Sequence, residues 1–169
     1  MSTKLWGGRF DMPTNKLVES YNATIMLEQR LCPFDIQGSI AHATMLGRQG
    51  IITQDEANAI IGGLRQVNKE IEDGQFVFDT VDEDIHMAIE RRMTEIIGPV
   101  GGKLHTGRSR NDQTTVDSKM HMRSTIREIQ QDIVHLQKVI ISKAENNINA
   151  IMPGYTHLQI AMPSSFGLW

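Results

Sequence analysis

The chain has 169 residues, 40% of them hydrophobic and 22% charged, which is typical of a folded domain and excludes a disordered segment. A net charge of −3 at neutral pH excludes a general attraction to nucleic acid. No run of about 18 apolar residues occurs, so no transmembrane helix is expected, and the single cysteine, Cys32, excludes an internal disulfide and favours a reducing, cytoplasmic location.

Two helices are predicted in the first part of the chain. After an irregular start, helical spacing of apolar residues begins near Leu31 and ends at Gly50. The apolar stripe of this first helix consists of Ile36, Ile40, Ala43 and Leu46. The second helix opens with the capping-box pattern Thr53–Glu56 and closes at Asp73–Gly74. Its apolar face contains Ala57, Ile60, Ile61, Leu64, Val67 and Ile71. Each stripe predicts a helix that buries one face.

A third helix is predicted after a short apolar piece, Phe76–Phe78, that is too brief for a sheet. The segment Thr80–Glu83 resembles another capping box. Helical spacing then continues through Ile85, Ala88, Ile89, Met93, Ile96 and Ile97. Gly98 and Pro99 stop this helix, and a glycine-rich loop is predicted from Gly98 to Gly107.

The longest predicted helix runs from Arg108 to Met152, a segment without glycine or proline that Pro153 ends. Its apolar residues follow spacings of 4, 3, 4, 3 and 4, which is a heptad seam, at Met122, Ile126, Ile129, Ile133, Leu136 and Ile140. A simple coiled coil is one alternative, although the polar first third argues against it. Such a helix needs other long helices to cover its seam, from missing residues or from other subunits.

The string His105–Gln113 places nine polar or small residues at the start of this long helix. Free backbone N–H groups and the positive end of the helix dipole favour anions there. Arg108 and Arg110 add forked donors suited to carboxylates, and Ser109 and Asn111 add neutral donors. The alternative is a solvated helix start without a ligand.

Two histidines are further candidates. His157 follows a Pro-Gly break and a hydroxyl residue, so it is a candidate general acid or base, although most single histidines do no chemistry. His86 ends the segment Asp82–His86, whose acidic residues complement a helix dipole. A metal site there is weakly supported, because no second histidine or cysteine follows three or four residues later.

Four segments of the chain resemble argininosuccinate lyases and the closely related δ-crystallins. They are Leu5–Phe10, Asp82–His86, His105–Gln113 and Gly154–Gln159, in the family's order and covering essentially the whole chain. The resemblance implies an all-α fold of the fumarase/aspartase superfamily. Residues 1–107 would form an N-terminal helical domain, and residues 108–169 would begin a central helical bundle. Members are homotetramers in which each active site draws on three chains.

The resemblance also implies the reaction and the residues that carry it. Argininosuccinate is split by elimination into L-arginine and fumarate in arginine biosynthesis. The reaction passes through an aci-carboxylate, which needs several hydrogen-bond donors around the carboxylate. His157 would be the catalytic acid/base. Substrate-binding residues would be Thr24, His86, Ser109, Arg110, Asn111, Thr156 and Gln159. No metal, organic cofactor, nucleic acid or membrane partner is implied.

Three departures from the family pattern stand out. After Gln159 the family commonly has Arg-Ala-Gln-Pro, whereas this chain has Ile160 and Met162 at the two polar positions. The mobile loop that supplies the family's catalytic serine is absent, and complete members are over twice as long. We therefore expect this chain to be an incomplete fragment that is inactive alone.

Two other functions remain as alternatives. A structural protein like the δ-crystallins shares the same motifs, so the motifs do not separate it from the enzyme. Another lyase of the superfamily, acting on adenylosuccinate, malate or aspartate, is disfavoured by the His105–Gln113 string, since those relatives carry different residues there.

Overall fold

A computed structural model describes residues 14–169, so the Leu5–Phe10 motif lies outside the described residues. The helices are α1 (Lys16–Asn22), α2 (Ile25–Glu28), α3 (Cys32–Arg48), α4 (Gln54–Glu72), α5 (Ile85–Ile97) and α6 (Arg110–Asn146). Two strands follow, β1 (Ile151–Thr156) and β2 (Gln159–Ser165). Short 3-10 helices occupy Gln29–Leu31, Thr80–Asp82 and Pro99–His105. The predicted all-α class is confirmed, with one small hairpin added.

The described chain divides into two compact units, with the division between His121 and Met122. In the first unit, α3, α4 and α5 bury the apolar stripes that their spacing predicts. Fully buried members of this core include Ala43, Leu46, Ile60, Leu64, Val67, Ile85, Ala88, Ile89 and Met93. Among the described residues, no helix combines the length and the apolar character that crossing a membrane requires.

The predicted start of α4 is confirmed in atomic detail. The Thr53 hydroxyl accepts the N–H of Glu56 at 3.2 Å, and the Glu56 carboxylate accepts the N–H of Thr53 at 3.0 Å. These two bonds satisfy backbone donors that a helix start otherwise leaves unpaired. The preceding helix ends as predicted, with Gly50 at a φ of +68°.

The prediction for the start of α5 is wrong in its cap. Asp84, not Thr80, is the N-cap, and its carboxylate accepts the N–H of Met87 at 2.7 Å. Asp79 caps the preceding 3-10 turn through the N–H of Val81. The Asp84 carboxylate lies next to the first backbone donors of α5, whereas Thr80 is four residues upstream, inside the preceding 3-10 turn. The predicted glycine-rich loop likewise contains the 3-10 helix Pro99–His105.

Helix α6 is shorter than the predicted Arg108–Met152 segment. At its start, the Ser109 hydroxyl accepts the N–H of Asn111 at 3.2 Å, so Ser109 lies outside the helix as a cap. At its end, the Asn147 side-chain amide donates to the carbonyl of Lys143 at 2.8 Å and competes with the helical pattern. The carbonyls of Asn147 and Ala150 then accept N–H groups from Gly167 and Phe166.

The sequence indicated only a Pro-Gly break after the long helix, and the segment after α6 is an antiparallel hairpin. Ile151 pairs with Ser165 and Thr156 with Gln159, with a register irregularity between Pro153 and Tyr155. Both strands of a two-stranded sheet are edges, and edges tolerate proline. The hairpin therefore accommodates Pro153 and Pro163.

Candidate active site

The start of α6 presents the polar string that the sequence singled out. The Asp112 carboxylate accepts the N–H of Ser109 at 3.0 Å, which completes the cap around the Ser109 hydroxyl. Ser109 and Asn111 are exposed, and Arg110 is partly buried. The first turn of this 37-residue helix thus offers neutral donors and one guanidinium at the positive end of its dipole.

Arg110 is held by two carboxylates of the neighbouring helix α5, one at its N-cap and one in its interior. Its Nη1 lies 3.0 Å from Glu90 Oε1, and its Nε lies 3.4 Å from Asp84 Oδ2. The Arg110 side chain nevertheless remains 27% exposed. It is therefore fixed in place while part of the guanidinium stays accessible to an anion.

His86 lies deep in the first unit rather than at its surface. Its residue is 1% exposed, and its Nδ1 lies 2.9 Å from Asp35 Oδ1 and 3.6 Å from Asp117 Oδ2. Burial alone lowers the pKa of the imidazole, but the hydrogen bond to Asp35 and the charge of Asp35 outweigh it, so the pKa of His86 is raised. The histidine is an anchored member of a buried polar cluster.

Asp117 is the least conventional carboxyl of this cluster. Burial, followed by the negative charge of Asp35, raises its pKa to about 7. Among the described residues its Oδ2 accepts no hydrogen bond. The carboxyl therefore keeps a proton to much higher pH than an ordinary aspartate.

Asp35, His86 and Asp117 are also the described residues whose geometry could suit a metal ion, with ligand atoms within 4.8 Å of one another. A cation there would have to displace the hydrogen bond between His86 and Asp35. It would also meet the positive charge of Arg108, which acts on both carboxylates. The charge of the cluster is therefore better offset by the side chains of His86 and Arg108 than by a metal ion.

Thr24 lies beside the segment that leads into α5. Its N–H donates to the carbonyl of Glu83 at 2.8 Å, and the N–H of Ile25 donates to the same oxygen at 3.1 Å. Glu83 has a φ of +61°, an uncommon conformation for a residue with a side chain. This turn brings exposed Thr24 next to the cap of α5.

A cleft of about 470 Å³ adjoins the buried cluster. Its lining includes Ser39, His42, Arg108, Asp112 and Val116, together with Asp35, Gln113 and Asp117. Thr24, His86 and Arg110 do not line it, so the cleft does not coincide with the predicted substrate-binding residues.

The other predicted site residues belong to the second unit, at the tip of the hairpin. Thr156 and Gln159 are the last paired residues, and His157 and Leu158 form the two-residue turn between them. Both turn residues have positive φ, +49° and +63°, as a tight hairpin turn requires. His157 is exposed, so its imidazole is accessible to a reactant.

Three polar residues around Arg110 and His86 escaped the sequence predictions, namely Asp35, Glu90 and Asp117, and Gln113 was named only as the last residue of the polar string. Asp35 directly precedes Ile36 of the apolar stripe, and Gln113 and Asp117 are four residues apart, on one face of α6. The available signal was a polar residue at a core-facing helical position. Without the partner helix, that signal does not separate a buried residue from an exposed one.

Comparison with known proteins adds a family and close relatives. Residues 8–169 match the family described as Lyase. The chain is 52% identical to an argininosuccinate lyase of Syntrophotalea carbinolica and 53% identical to one of Heliobacterium mobile, over 98% and 96% of its length. It spans only about 36% of the length of these relatives.

Solved structures agree on the fold. An EDDS lyase in complex with formate has a TM-score of 0.68 and 29% identity, and the match covers 88% of this chain and 29% of that one. A fumarate lyase:delta crystallin from Brucella melitensis has a TM-score of 0.70 over 94% of this chain and 42% of that one. Its identity is 17%, so this second likeness supports the fold alone.

Proposed function

This chain belongs to the Lyase family, and from that membership we propose that the protein containing it is an argininosuccinate lyase, which splits argininosuccinate into L-arginine and fumarate. The observation that carries the proposal is the close identity to argininosuccinate lyases over nearly the whole chain. The chain covers about a third of their length, so the proposal concerns the whole protein.

Recognition of the substrate would begin at the start of α6. The succinyl part of argininosuccinate carries two carboxylates, and Arg110, Ser109 and Asn111 provide donors at the positive end of the helix dipole. Thr24 is proposed to bind substrate as well, and so are Thr156 and Gln159 of the hairpin, in an active site drawn from three chains. His86, which is 1% exposed, would act through its buried partners. The partial exposure of Arg110 supports a role in binding an anion.

The proposed reaction is an elimination. A base removes a proton from the succinyl carbon adjacent to a carboxylate, and the electron pair is held as an aci-carboxylate. That pair then forms the double bond of fumarate while the C–N bond breaks. The guanidino nitrogen keeps the C–N electrons and takes a proton from an acid, which leaves arginine. His157, exposed at the hairpin tip, is the proposed acid/base, and no metal or organic cofactor is part of the proposal.

The whole protein is proposed to be a cytoplasmic homotetramer of arginine biosynthesis, with each active site drawn from three chains. Residues 1–107 would form its N-terminal helical domain, and residues 108–169 would begin its central bundle. The catalytic serine would come from a loop outside this sequence. We therefore expect the 169-residue chain alone to release no fumarate.

The experiment is to express the full-length protein containing this chain and to follow fumarate by its ultraviolet absorbance. Argininosuccinate, adenylosuccinate, malate and aspartate are offered separately, in a host lacking its own argininosuccinate lyase. Fumarate from argininosuccinate alone is the expected result. The 169-residue chain is measured in parallel.

Two other results would overturn the proposal. Fumarate from a different substrate would assign another lyase of the superfamily. A folded tetramer that releases no fumarate from any of the four substrates would favour a structural, crystallin-like protein.

A further inference from the structure

A buried amide connects the partly exposed guanidinium of Arg110 to the interior of the first unit. Gln113 is 3% exposed, and its Oε1 accepts a hydrogen bond from Arg110 Nη1 at 2.6 Å. Its Nε2 donates to Asp35 Oδ1 at 3.1 Å. Both ends of one amide are thus bound to charged groups of opposite sign, and such bonds are stronger than neutral ones.

The chemistry of the two ends permits only one orientation of the Gln113 amide. A rotated amide would direct its NH₂ group at the guanidinium and its oxygen at the carboxylate, so both contacts would become repulsive. Water has little access to replace either partner at a side chain this deeply buried. Gln113 therefore holds Arg110 Nη1 at a fixed point.

Asp35 anchors the other end of this connection. Its Oδ1 also accepts from His86 Nδ1 at 2.9 Å, so one oxygen on α3 joins α5 to α6. Asp35 is 2% exposed and contributes nothing directly to an external ligand. The same Nη1 of Arg110 also donates to Glu90 Oε1 at 3.0 Å, and Nε lies 3.4 Å from Asp84 Oδ2. The guanidinium is thereby held between a surface pair of carboxylates and an internal support.

We propose that Gln113, supported by Asp35, is a positioning residue that orients Arg110 for a carboxylate of the substrate. The inference rests on the proposed function, because it assigns that carboxylate to the succinyl group. Without Gln113, Arg110 would keep only its carboxylate partners Glu90 and Asp84 and would turn toward them. Its donors would then be less available to a dicarboxylate.

The test compares variants of the full-length protein in KM, kcat and the inhibition constant of succinate, a dicarboxylate that lacks the guanidino group. Gln113→Met keeps the size of the side chain and removes both hydrogen bonds. It should raise KM and the succinate inhibition constant together by about tenfold to 100-fold. Asp35→Asn retains an oxygen but removes the charge that strengthens the bonds from Gln113 and His86, so it should raise both constants in the same direction by a smaller factor.

Val67→Ala is the control for a general loss of stability, because it removes buried volume in α4 away from Arg110. This control should lower the melting temperature and leave the succinate inhibition constant unchanged. Gln113→Glu is the second variant in case Gln113→Met does not fold. It can still accept from Arg110 but cannot donate to Asp35, and it too should weaken succinate binding.

Each failure has its own signature. An unmodified protein that releases no fumarate from argininosuccinate overturns the proposed function. If the unmodified protein is active and the Gln113 variants bind succinate as tightly as the Val67→Ala control, the positioning role alone is overturned.

Discussion

Individual carboxyls in the first unit differ widely in their surroundings, and Asp117 is the extreme. Its pKa rises from 3.8 to about 7 because it is buried and lies near Asp35. Between those two pH values the folded protein binds a proton that the unfolded chain has released. Stability from this group is therefore present at low pH and is lost as pH rises toward about 7.

Replacing this carboxyl should remove its negative contribution to the slope of the unfolding free energy against pH. In Asp117→Asn the slope of the unfolding free energy between about pH 4 and pH 7 should change by up to about 1.4 kcal/mol per pH unit. Denaturant titrations of the full-length protein at several pH values measure it. Asp132→Asn, a change at an exposed position of α6, is the control and should leave the slope as it is. An unchanged slope in Asp117→Asn would contradict the prediction.

At the hairpin tip, His157→Asn should remove the proposed acid/base without disturbing the turn. Asparagine tolerates the positive φ of this position, so the hairpin should persist. Loss of general acid–base catalysis should lower kcat by about 100-fold to 10,000-fold. The fumarate assay measures this, and His135→Asn, at an exposed histidine of α6, should change kcat by less than about twofold. Retained kcat would remove His157 from the reaction.

The candidate residues at the start of α6 could be picked out from the sequence because their motif is contiguous, and their role stays a prediction. Ser109, Arg110 and Asn111 are three successive residues, and a helix start explains their role. The contacts of Asp35 with His86 and Gln113 could not be predicted, since these partners lie 51 and 78 residues from Asp35 along the chain. Only the packing of three helices brings them together.

At the scale of elements, two adjacent glycines of α4 differ in their part in the packing against α5. A Cβ on Gly63 would lie 2.9 Å from atoms of both Met93 and Ile97, whereas a Cβ on Gly62 would meet nothing within 4 Å. Gly63 thus permits the close approach of the two helices. Gly62 only lowers the helix propensity of α4.

Two alanine substitutions should therefore change stability in opposite directions. Gly62→Ala should stabilise the protein by up to about 1 kcal/mol, because alanine loses less backbone entropy in a helix. Gly63→Ala gains the same propensity but overpacks the contact with α5, and should be net destabilising by about 1 kcal/mol. Thermal and urea unfolding of both variants measure this. Equal effects at the two positions would contradict the packing argument.

Element types were predictable where periodicity was strong, and element ends were not. Stripes such as Ile60, Leu64 and Val67 predict buried helical faces, and those residues are buried. The hairpin gave no such signal, because its turn consists of His157 and Leu158 instead of Asn-Gly. Pro153 and Pro163 also argue against strands when only the sequence is considered.

For the whole molecule, the dominant feature is the exposed apolar seam of α6 within the described chain. Its members are 50% to 63% exposed, at Met122, Ile126, Ile129, Ile133, Leu136 and Ile140. Scattered exposed apolar residues are ordinary, but a continuous stripe on a long helix marks an interaction surface. The seam supports the proposal that α6 packs against helices of other subunits.

A charge placed on this seam should weaken assembly of the full-length protein. Ile133→Glu removes a side chain worth about 1.5–3 kcal/mol on burial and adds an unpaired carboxylate, so the proposed tetramer should dissociate into smaller species. Sedimentation velocity measures the distribution. Gln131→Glu, on the opposite face of the helix, should leave the assembly unchanged. A tetramer that survives Ile133→Glu would exclude the seam from the interface.

The backbone of the hairpin turn has a consequence for how such a sequence evolves. His157 and Leu158 both occupy left-handed conformations, and Leu158 is 99% exposed, so folding alone gives neither side chain an advantage. Mutation would bring asparagine and glycine into both positions at little cost to the fold. A lineage released from selection for the reaction should therefore lose this histidine early, while its buried core still drifts slowly.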